Sequence, residues 1–270
     1  MSGKNLLEAD SHFEFGKNWS DYSSLIDEEV IAEAEKGVLA LVPAEALKGA
    51  AWLDIGSGSG LHSLAAHRLG AGEITAVDID ADSVETTRRV LSAYGVSARI
   101  EQMSVFEMDT LGQFDIVYSW GVLHHTGDMW KAIRCAAEKV KPGGLLAIAL
   151  YQKTLLCGAW TVEKRLYTDA PEFVRKAARG AYIAARFFGL LAKGRNPVTY
   201  IRTYKTARGM DFYHDVHDWM GGYPYESSTP QETRESIVGL GFEPVKIGDL
   251  KPWLGLFGTG CAEYVFRKRI

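Results

Sequence analysis

Three alternate glycines follow a short apolar run that ends in a carboxylate, in the segment AWLDIGSGSG at residues 51–60. Glycine adopts positive φ angles and has no Cβ, so a ligand can approach the backbone closely. A second acid, Asp78, closes the apolar run 74–77 and lies 18 positions after Gly60. This spacing predicts a strand–turn–helix unit that binds an adenosine-type cofactor.

The acid before the first glycine narrows the choice of cofactor. Nicotinamide and flavin folds place a pyrophosphate on the helix N-terminus that follows their glycine loop. The Asp54 carboxylate would repel a pyrophosphate and attract an ammonium group. S-adenosylmethionine carries an amino group and a sulfonium and has no phosphate, so the pattern favours it.

A second group of residues that could do chemistry lies at 209–226, which mixes acids, histidines and aromatics. We expect a base for acceptor deprotonation among four of them: His214, Asp215, His217 and Asp218. We expect the aromatic members to bind the acceptor: Tyr213, Trp219, Tyr223 and Tyr225. Two alternatives are that the segment is a helix and turn that dock on the sheet, or that its side chains bind a divalent ion. We prefer hydrogen-bonded His–Asp pairs over metal ligands, and we expect no metal.

Paired histidines form a further candidate site. His124 and His125 directly follow the fourth predicted strand, where a parallel sheet opens towards a substrate. His125 is a candidate base and His124 a candidate acceptor contact. A structural role for the pair remains open.

Strand and helix patterns that could position these residues alternate from about residue 50. Strands are predicted at 51–55, 73–79, 98–103, 114–119, 145–151, 243–248 and 261–267. Helices are predicted at 59–70, 82–94, 128–140 and roughly 159–192, and Thr229-Pro230-Gln231-Glu232 has the N-terminal signature of another. Such alternation indicates an α/β fold with a mostly parallel sheet.

Four regions follow from this pattern. Residues 1–48 would form an N-terminal helical cap, and residues 49–151 the cofactor-binding half of the sheet domain. Residues 152–228 exceed what the sheet needs and would form a helical lid. Residues 229–270 would complete the sheet with a helix and a hairpin.

Composition sets limits on the class of protein. The chain has 270 residues, of which 47% are hydrophobic, and no apolar run approaches the length of a membrane-spanning helix. Three separated cysteines and a polar N-terminus predict a cytoplasmic location. The net charge is −4, yet residues 151–210 contain 12 Lys and Arg against three acids. This basic segment favours an anionic partner, while solvation of long helices is the alternative.

Five segments resemble class I S-adenosylmethionine-dependent methyltransferases, especially small-molecule enzymes of the ubiquinone-biosynthesis type. They are LDIGSGSG at 53–60, VDID at 77–80, SVFE at 104–107, FDIVYSWGVLHH at 114–125 and VKPGGLL at 140–146. The resemblance implies a Rossmann-like, seven-stranded sheet whose last strand is antiparallel. It also implies S-adenosylmethionine as methyl donor and S-adenosylhomocysteine as product.

The same resemblance implies roles for individual cofactor-binding residues. Those that would hold the methionine part are Asp54, Gly56, Ser57, Gly58 and Gly60. Those that would contact ribose and adenine are Asp78, Ile79, Ser104, Val105 and Phe106. Backbone contacts near the sulfonium would come from Ser119 and Trp120, and a helix that folds over the cofactor would contribute Phe15, Gly16 and Trp19.

The methyl acceptor is less defined. Ser119-Trp120-Gly121-Val122 differs from the Asn/Asp-Pro-Pro-aromatic turn of enzymes that methylate base amino groups. We therefore expect O-methylation of a small metabolite, either anionic and sugar-linked or lipid-linked, with peripheral membrane contact as one way to reach a lipid. The alternatives are a tRNA or rRNA methyltransferase and a non-catalytic cofactor-binding module. The sequence does not decide the oligomeric state.

Overall fold

Seven strands form one sheet in the order β3–β2–β1–β4–β5–β7–β6. The computed structural model describes residues 16, 19, 26–204, 211–248, 255–256 and 258–270. Strands β1 to β5 run parallel, and β7 is antiparallel to both of its neighbours. The predicted sheet is therefore confirmed. The strands are β1 (Ala51–Ile55), β2 (Glu73–Asp78), β3 (Arg99–Gln102), β4 (Phe114–Trp120), β5 (Val140–Tyr151), β6 (Phe242–Lys246) and β7 (Cys261–Lys268).

Helices cover both faces of this sheet and build the segment between β5 and β6. The α-helices of the described ranges are α1 (Glu28–Leu41), α2 (Ala44–Leu47), α3 (Leu61–Arg68), α4 (Ala81–Ala93), α5 (Met129–Glu138), α6 (Cys157–Asp169), α7 (Glu172–Ala192), α8 (Pro197–Arg202), α9 (Phe212–Gly221) and α10 (Pro230–Gly239). Short 3₁₀ helices occupy Val105–Thr110 and Leu123–His125.

The core has two layers because successive strand residues point to opposite faces of a sheet. On β1, Trp52 packs with the side chains of α1 and α3. Its neighbour Leu53 packs on the other face with α5 and the 3₁₀ helix at 105–110. Both side chains have no exposed surface. This packing holds the carboxyl ends of β1, β2 and β4 at one edge, where the glycine loop begins.

Two predicted boundaries are wrong, for identifiable reasons. Strand β5 begins at Val140 rather than at the predicted residue 145, and it includes the turn-type residues Lys141-Pro142-Gly143-Gly144. The register between β4 and β5 shifts between Phe114 and Ile116, and such a bulge accommodates turn residues inside a strand. The predicted helix at 159–192 is two helices, because Pro171 cannot continue α6 and instead precedes α7.

The capping signature after the insertion is confirmed. Thr229 accepts a hydrogen bond from the Glu232 amide, and the Glu232 carboxylate accepts one from the Thr229 amide. This reciprocal pair fixes the first turn of α10, which returns the chain to the sheet.

The helices between β5 and β6 have a small core of their own. Tyr167, Tyr204, Phe212, Val216 and Met220 are buried together between α6, α7 and α9. We call the described part of residues 152–228 the helical insertion. None of the helices in the ranges given above is both long and apolar enough to cross a membrane.

Candidate functional site

The turn after β1 has an unusual backbone. Gly56, Gly58 and Gly60 have φ angles of +76°, +54° and +76°. A Cβ on Gly56 would lie 2.5 Å from the methyl groups of Val122, and a Cβ on Gly58 would lie 3.2 Å from the Trp19 ring. Both the backbone conformation and the close neighbours therefore require glycine here.

Two buried carboxyl groups flank this glycine loop. Asp78 accepts hydrogen bonds from the Gly58 and Asp80 amides at 2.9 and 3.0 Å. Asp54 accepts one from the Ser63 hydroxyl at 2.7 Å. Burial raises the pKa of Asp54 to about 7 and that of Asp78 to about 6. In the described part of the chain, the charged group that acts on Asp54 is Asp78, which is also an acid. The arrangement would be stabilised by a bound cation.

Other proposed cofactor contacts lie around the same edge of the sheet. Gln102 donates a hydrogen bond to the Ile79 carbonyl, which joins the ends of β3 and β2. The Ser104 hydroxyl accepts one from the Phe106 amide and caps the 3₁₀ helix that starts at Val105. Ser57 bonds the Thr87 hydroxyl at 3.0 Å.

The N-terminal residues that the structure describes lie against the loop. A Cβ on Gly16 would lie 1.9 Å from an Asp80 carboxylate oxygen, so Gly16 sits directly on that side chain. Trp19 covers Gly58. Phe15 lies outside the described residues.

At the end of β4, side chains are engaged within the protein. The Ser119 hydroxyl donates to the Ile55 carbonyl at 2.9 Å, and the Trp120 indole donates to Glu263 at 3.2 Å. Trp120 also lies against the ring of His62. A ligand at this point would meet the strand backbone rather than these polar side-chain atoms.

The two histidines lie in the 3₁₀ turn that follows β4. His124 is fully buried, and its Nδ1 accepts a hydrogen bond from the Tyr151 amide at 3.3 Å. This bond places the ring proton on Nε2, for which no partner occurs among the described residues. Burial, His125 and Lys164 hold the pKa of His124 well below its usual range. His124 is therefore a neutral donor.

His125 has a different environment. Its Nδ1 lies 2.7 Å from the Pro224 carbonyl, to which it donates. A Cβ on Gly222 would lie 2.6 Å from the His125 ring, so this glycine allows the end of α9 to approach the histidine. The sheet edge and the helical insertion meet at this contact.

Aromatic rings surround the histidine pair. The Tyr151 ring centroid lies 3.9 Å from that of His124, 5.2 Å from Trp219 and 5.4 Å from Tyr225. Trp160 packs on Trp219 at 5.3 Å. We call His124, Tyr151, Trp160, Trp219 and Tyr225 the aromatic cluster. It joins the ends of β4 and β5 to α6 and α9.

Sequence reasoning missed Lys164, which projects into this cluster. Its amine lies 3.7 Å from the centroid of the Trp219 ring and 5.4 Å from that of Tyr225. The residue has no exposed surface, and its Nζ has no hydrogen-bond partner within the described ranges. Burial lowers the pKa of Lys164 to about 7, against the charges of Glu163 and Asp218. A usable signal existed: Lys164 lies four residues after Trp160 and four before Thr168, inside the buried stripe of α6.

The remaining residues singled out on α9 face several directions. His214 bonds Asp211 at 2.9 Å, and Asp215 accepts a hydrogen bond from the Tyr204 hydroxyl. His217 contacts Tyr167 and Arg179.

Exposure and charge distinguish the members of this group. Burial, and then Arg179, lower the pKa of His217 to about 4. Tyr213 is 55% exposed, and Tyr223 is half-buried. The geometry thus brings Asp218, Trp219 and Tyr225 to the aromatic cluster. It places His214, Asp215 and His217 in contacts with Asp211, Tyr204, Tyr167 and Arg179.

A metal centre was one interpretation of the His/Asp-rich run. Within the ranges that the structure describes, no three His, Cys, Asp or Glu side chains are grouped so that they could hold a metal ion.

Comparisons with known proteins agree with the geometry. A family model described as a methyltransferase domain matches residues 53–144. A ubiquinone biosynthesis O-methyltransferase from Xanthomonas campestris is 36% identical over 111 residues, which are 40% of this chain and 46% of that protein. The chain therefore spans less than half the length of this curated relative.

Solved structures share the fold across most of the chain. A magnesium protoporphyrin IX methyltransferase from Synechocystis with bound S-adenosylhomocysteine aligns over 89% of this chain and 83% of its own, with a TM-score of 0.53 and 16% identity. An S-adenosylmethionine-dependent methyltransferase from Mesorhizobium loti aligns over 87% and 98%, with a TM-score of 0.51 and 16% identity. Residues 53–144, which contain the glycine loop, therefore match a methyltransferase domain, and the chain shares the fold of these S-adenosylmethionine-dependent methyltransferases.

Proposed function

We propose that this protein transfers the methyl group of S-adenosylmethionine to a hydroxyl oxygen of a small acceptor. The observation that carries the proposal is the buried Asp54 carboxyl beside the positive-φ glycine loop, with another acid as its charged neighbour. An amino group on a ligand without phosphate would neutralise this carboxylate. When bound, the cofactor supplies an electrophilic methyl group on a sulfonium.

The residues around the loop fit such a ligand. Asp54, Gly56, Ser57, Gly58 and Gly60 would hold its methionine part, because the Asp54 carboxylate suits an amino group and the positive-φ glycines allow a ligand to approach the backbone closely. Asp78 would accept from the ribose hydroxyls, since its two carboxylate oxygens keep acceptor capacity beyond their bonds with backbone amides.

The remaining cofactor contacts would surround the adenine and the sulfonium. Those proposed at the adenine are Ile79, Ser104, Val105 and Phe106, and those near the sulfonium are the backbones of Ser119 and Trp120. Gly16 and Trp19 would close over the loop, as their contacts with Asp80 and Gly58 suggest.

The aromatic cluster is the proposed acceptor site. It lies where β4 and β5 end, it includes His124 and adjoins His125, and the helical insertion forms one of its walls. Sites for small organic molecules are lined mainly by apolar and aromatic side chains, and the rings of this cluster provide such a lining. Similarity to a ubiquinone biosynthesis O-methyltransferase supports oxygen as the methylated atom. Residues 152–228 would then supply acceptor selectivity as a lid.

RNA methylation is the weaker alternative. Several basic residues of the insertion are occupied within the protein: Arg175 donates to two carbonyls, Arg179 contacts Glu172, and Arg186 donates to Tyr200. These cations stabilise the insertion, which leaves fewer for phosphates. Binding of RNA would require an affinity that falls steeply with salt.

Calorimetry with S-adenosylhomocysteine tests the cofactor site. We expect Asp78→Ala to weaken binding at least about tenfold, equivalent to about 1.4 kcal/mol, because the ribose hydroxyls lose the carboxylate that accepts their hydrogen bonds. Asp82→Ala, at an exposed position in the first turn of α4, is the matched control and should bind like the unmodified protein.

The outcomes separate the alternatives. Equal affinity in Asp78→Ala and Asp82→Ala would refute the cofactor assignment. Binding of S-adenosylhomocysteine without methyl transfer to any acceptor in a panel of phenols, sugars and RNA would instead support a non-catalytic module.

A further inference from the structure

Lys164 combines features that a purely structural lysine does not need. Its amine is enclosed by Trp219 from α9, by Tyr225, and by the end of β4 through His124. Three polar atoms of this small region have no partner in the described ranges: Lys164 Nζ, His124 Nε2 and Trp219 Nε1. Buried polar groups are ordinarily hydrogen-bonded, so unpartnered groups collected at one place point to a missing partner.

Energetics argue against packing as the reason for this lysine. A buried amine without a hydrogen-bond partner costs free energy whether it is charged or neutral. A methionine would fill the same space between the rings without that cost. Because packing does not explain the lysine, we look for a role of its amine in the proposed acceptor site. This inference rests on the proposed methyl transfer.

We propose that the unpartnered amine of Lys164 accepts the proton of the acceptor hydroxyl during methyl transfer. The acceptor O–H bond breaks as its proton passes to the neutral amine, which becomes an ammonium. The acceptor oxygen forms a bond to the methyl carbon, and the carbon–sulfur bond breaks with its electron pair left on sulfur. A methyl ether, neutral S-adenosylhomocysteine and protonated Lys164 result, and the ammonium later releases its proton to water.

The surrounding charges set the basicity of the amine. Burial lowers the pKa of Lys164 to about 7, while Glu163 on α6 and Asp218 on α9 act in the opposite direction. His124 faces the amine as a neutral ring, and Tyr225 faces it with a phenol whose pKa is raised. The lowered pKa increases the neutral fraction of the amine relative to an exposed lysine, as a base requires.

The basicity also restricts the acceptor. A phenol has a pKa of about 10, close enough for proton transfer to such an amine within an enclosed site. An aliphatic alcohol resembles water, whose pKa is about 16, and holds its proton too firmly. We therefore infer an acidic hydroxyl, such as that of a phenol or an enol, in preference to a sugar hydroxyl.

The probe for this test is 4-nitrophenol, whose ionised form is yellow and whose neutral form is colourless. With the protein loaded with S-adenosylhomocysteine, and at a pH below the pKa of the free probe, we expect the bound probe to be ionised as an ion pair with the Lys164 ammonium. In Lys164→Met the ionised fraction of bound probe should fall at least about tenfold, which corresponds to one pKa unit. Lys176→Met, an exposed position on α7, should leave it unchanged.

A second variant keeps the amine in place. Glu163→Gln removes a charge that stabilises the ammonium, so the bound probe should ionise at a higher pH than in the unmodified protein. This variant provides the test if Lys164→Met does not fold.

Two results would overturn the role of Lys164: a probe that is not ionised in the loaded protein, or ionisation unchanged in both Lys164→Met and Glu163→Gln. Calorimetry with S-adenosylhomocysteine separates this failure from that of the proposed function. If the unmodified protein does not bind S-adenosylhomocysteine, methyl transfer itself is refuted.

Discussion

The glycine-loop region and the helical insertion treat buried polar groups in different ways. Beside the loop, Asp54, Asp78 and Ser57 each have hydrogen-bond partners from neighbouring elements. At the insertion and the turn that it covers, His124, Glu163, Lys164 and Trp219 each have a buried polar atom without a partner in the described ranges. The polar side chains named beside the loop are engaged within the protein, whereas those at the insertion leave polar atoms that a ligand could engage.

This difference corresponds to two kinds of binding task. The cofactor site must present backbone amides and carboxylates in a fixed geometry, and hydrogen bonds within the protein hold it there. In the proposed acceptor site Lys164 would change protonation during the reaction, and an amine without a hydrogen-bond partner in the described ranges suits that task. The first site should therefore be rigid and intolerant of added volume. Substitutions in the second site should change mainly the protonation of bound acceptor, and should change stability less.

The largest expected effect tests the rigidity of the loop. Gly56→Ala places a side chain at a φ of +76° and 2.5 Å from Val122. We expect the free energy of unfolding to fall by about 2–4 kcal/mol and binding of S-adenosylhomocysteine to be lost. Urea unfolding and calorimetry measure the two effects.

Gly37→Ala is the control for this substitution. Gly37 lies inside α1 with nothing near its Cβ position, so alanine there should raise the free energy of unfolding by about 0.5–1 kcal/mol. If Gly56→Ala resembled Gly37→Ala, the loop would not be rigid, and the contrast between the two regions would not hold.

The pH dependence of cofactor binding is the next effect in size. The pKa of Asp54 is raised from 3.8 to about 7, so the ligand-free protein should lose stability as pH rises through this range, because ionisation leaves a buried charge. An ammonium group binds the ionised form. The affinity for S-adenosylhomocysteine should therefore rise between about pH 6 and pH 8, by at most about tenfold per unit.

Asp54→Asn should abolish this slope, while Asp109→Asn, at an exposed position, should retain it. Calorimetry over this pH range measures both. A slope that persisted in Asp54→Asn would assign the titration to another group.

The smallest effect tests whether the two regions are energetically separate. Arg179 donates to the Tyr167 hydroxyl and contacts His217 and Glu172, all within the insertion. We expect Arg179→Met to lower the free energy of unfolding by about 1–2 kcal/mol with unchanged affinity for S-adenosylhomocysteine. The neighbouring control is Arg165→Met, an exposed position that should change stability by less than about 0.5 kcal/mol. Weaker cofactor binding in Arg179→Met would show that the regions are coupled.

Much of the sheet domain could be predicted because its signals are local. Asp54, the glycine loop and Asp78 follow one another closely in the chain, and the periodicity of the flanking strands and helices is strong. At Lys141–Gly144, pairing with β4 outweighed the local turn signal of proline and glycine. At Pro171, the proline interrupted an otherwise helical pattern.

The candidate acceptor site was harder to predict, since its members come from distant segments. The run at 211–218 placed His214, Asp215 and His217 next to Asp218 in sequence, but the helix distributes them over different faces. In the sequence Lys164 is one of many cations in a basic segment, whereas in the structure α6 buries it against Trp219. Such proximity depends on how helices pack and not on residue spacing.

The sequence by itself determined the α/β class, the glycine loop and its two acids, and the match of residues 53–144 to a methyltransferase domain. These depend on backbone requirements and short-range periodicity, which are written in adjacent residues. Only the tertiary structure decided which side chains surround the histidine pair, how burial shifts the pKa values of Asp54 and Lys164, and which basic residues are occupied within the insertion. Desolvation and pairing are properties of the packed molecule, because they depend on neighbours that the chain brings together from about 100 residues apart.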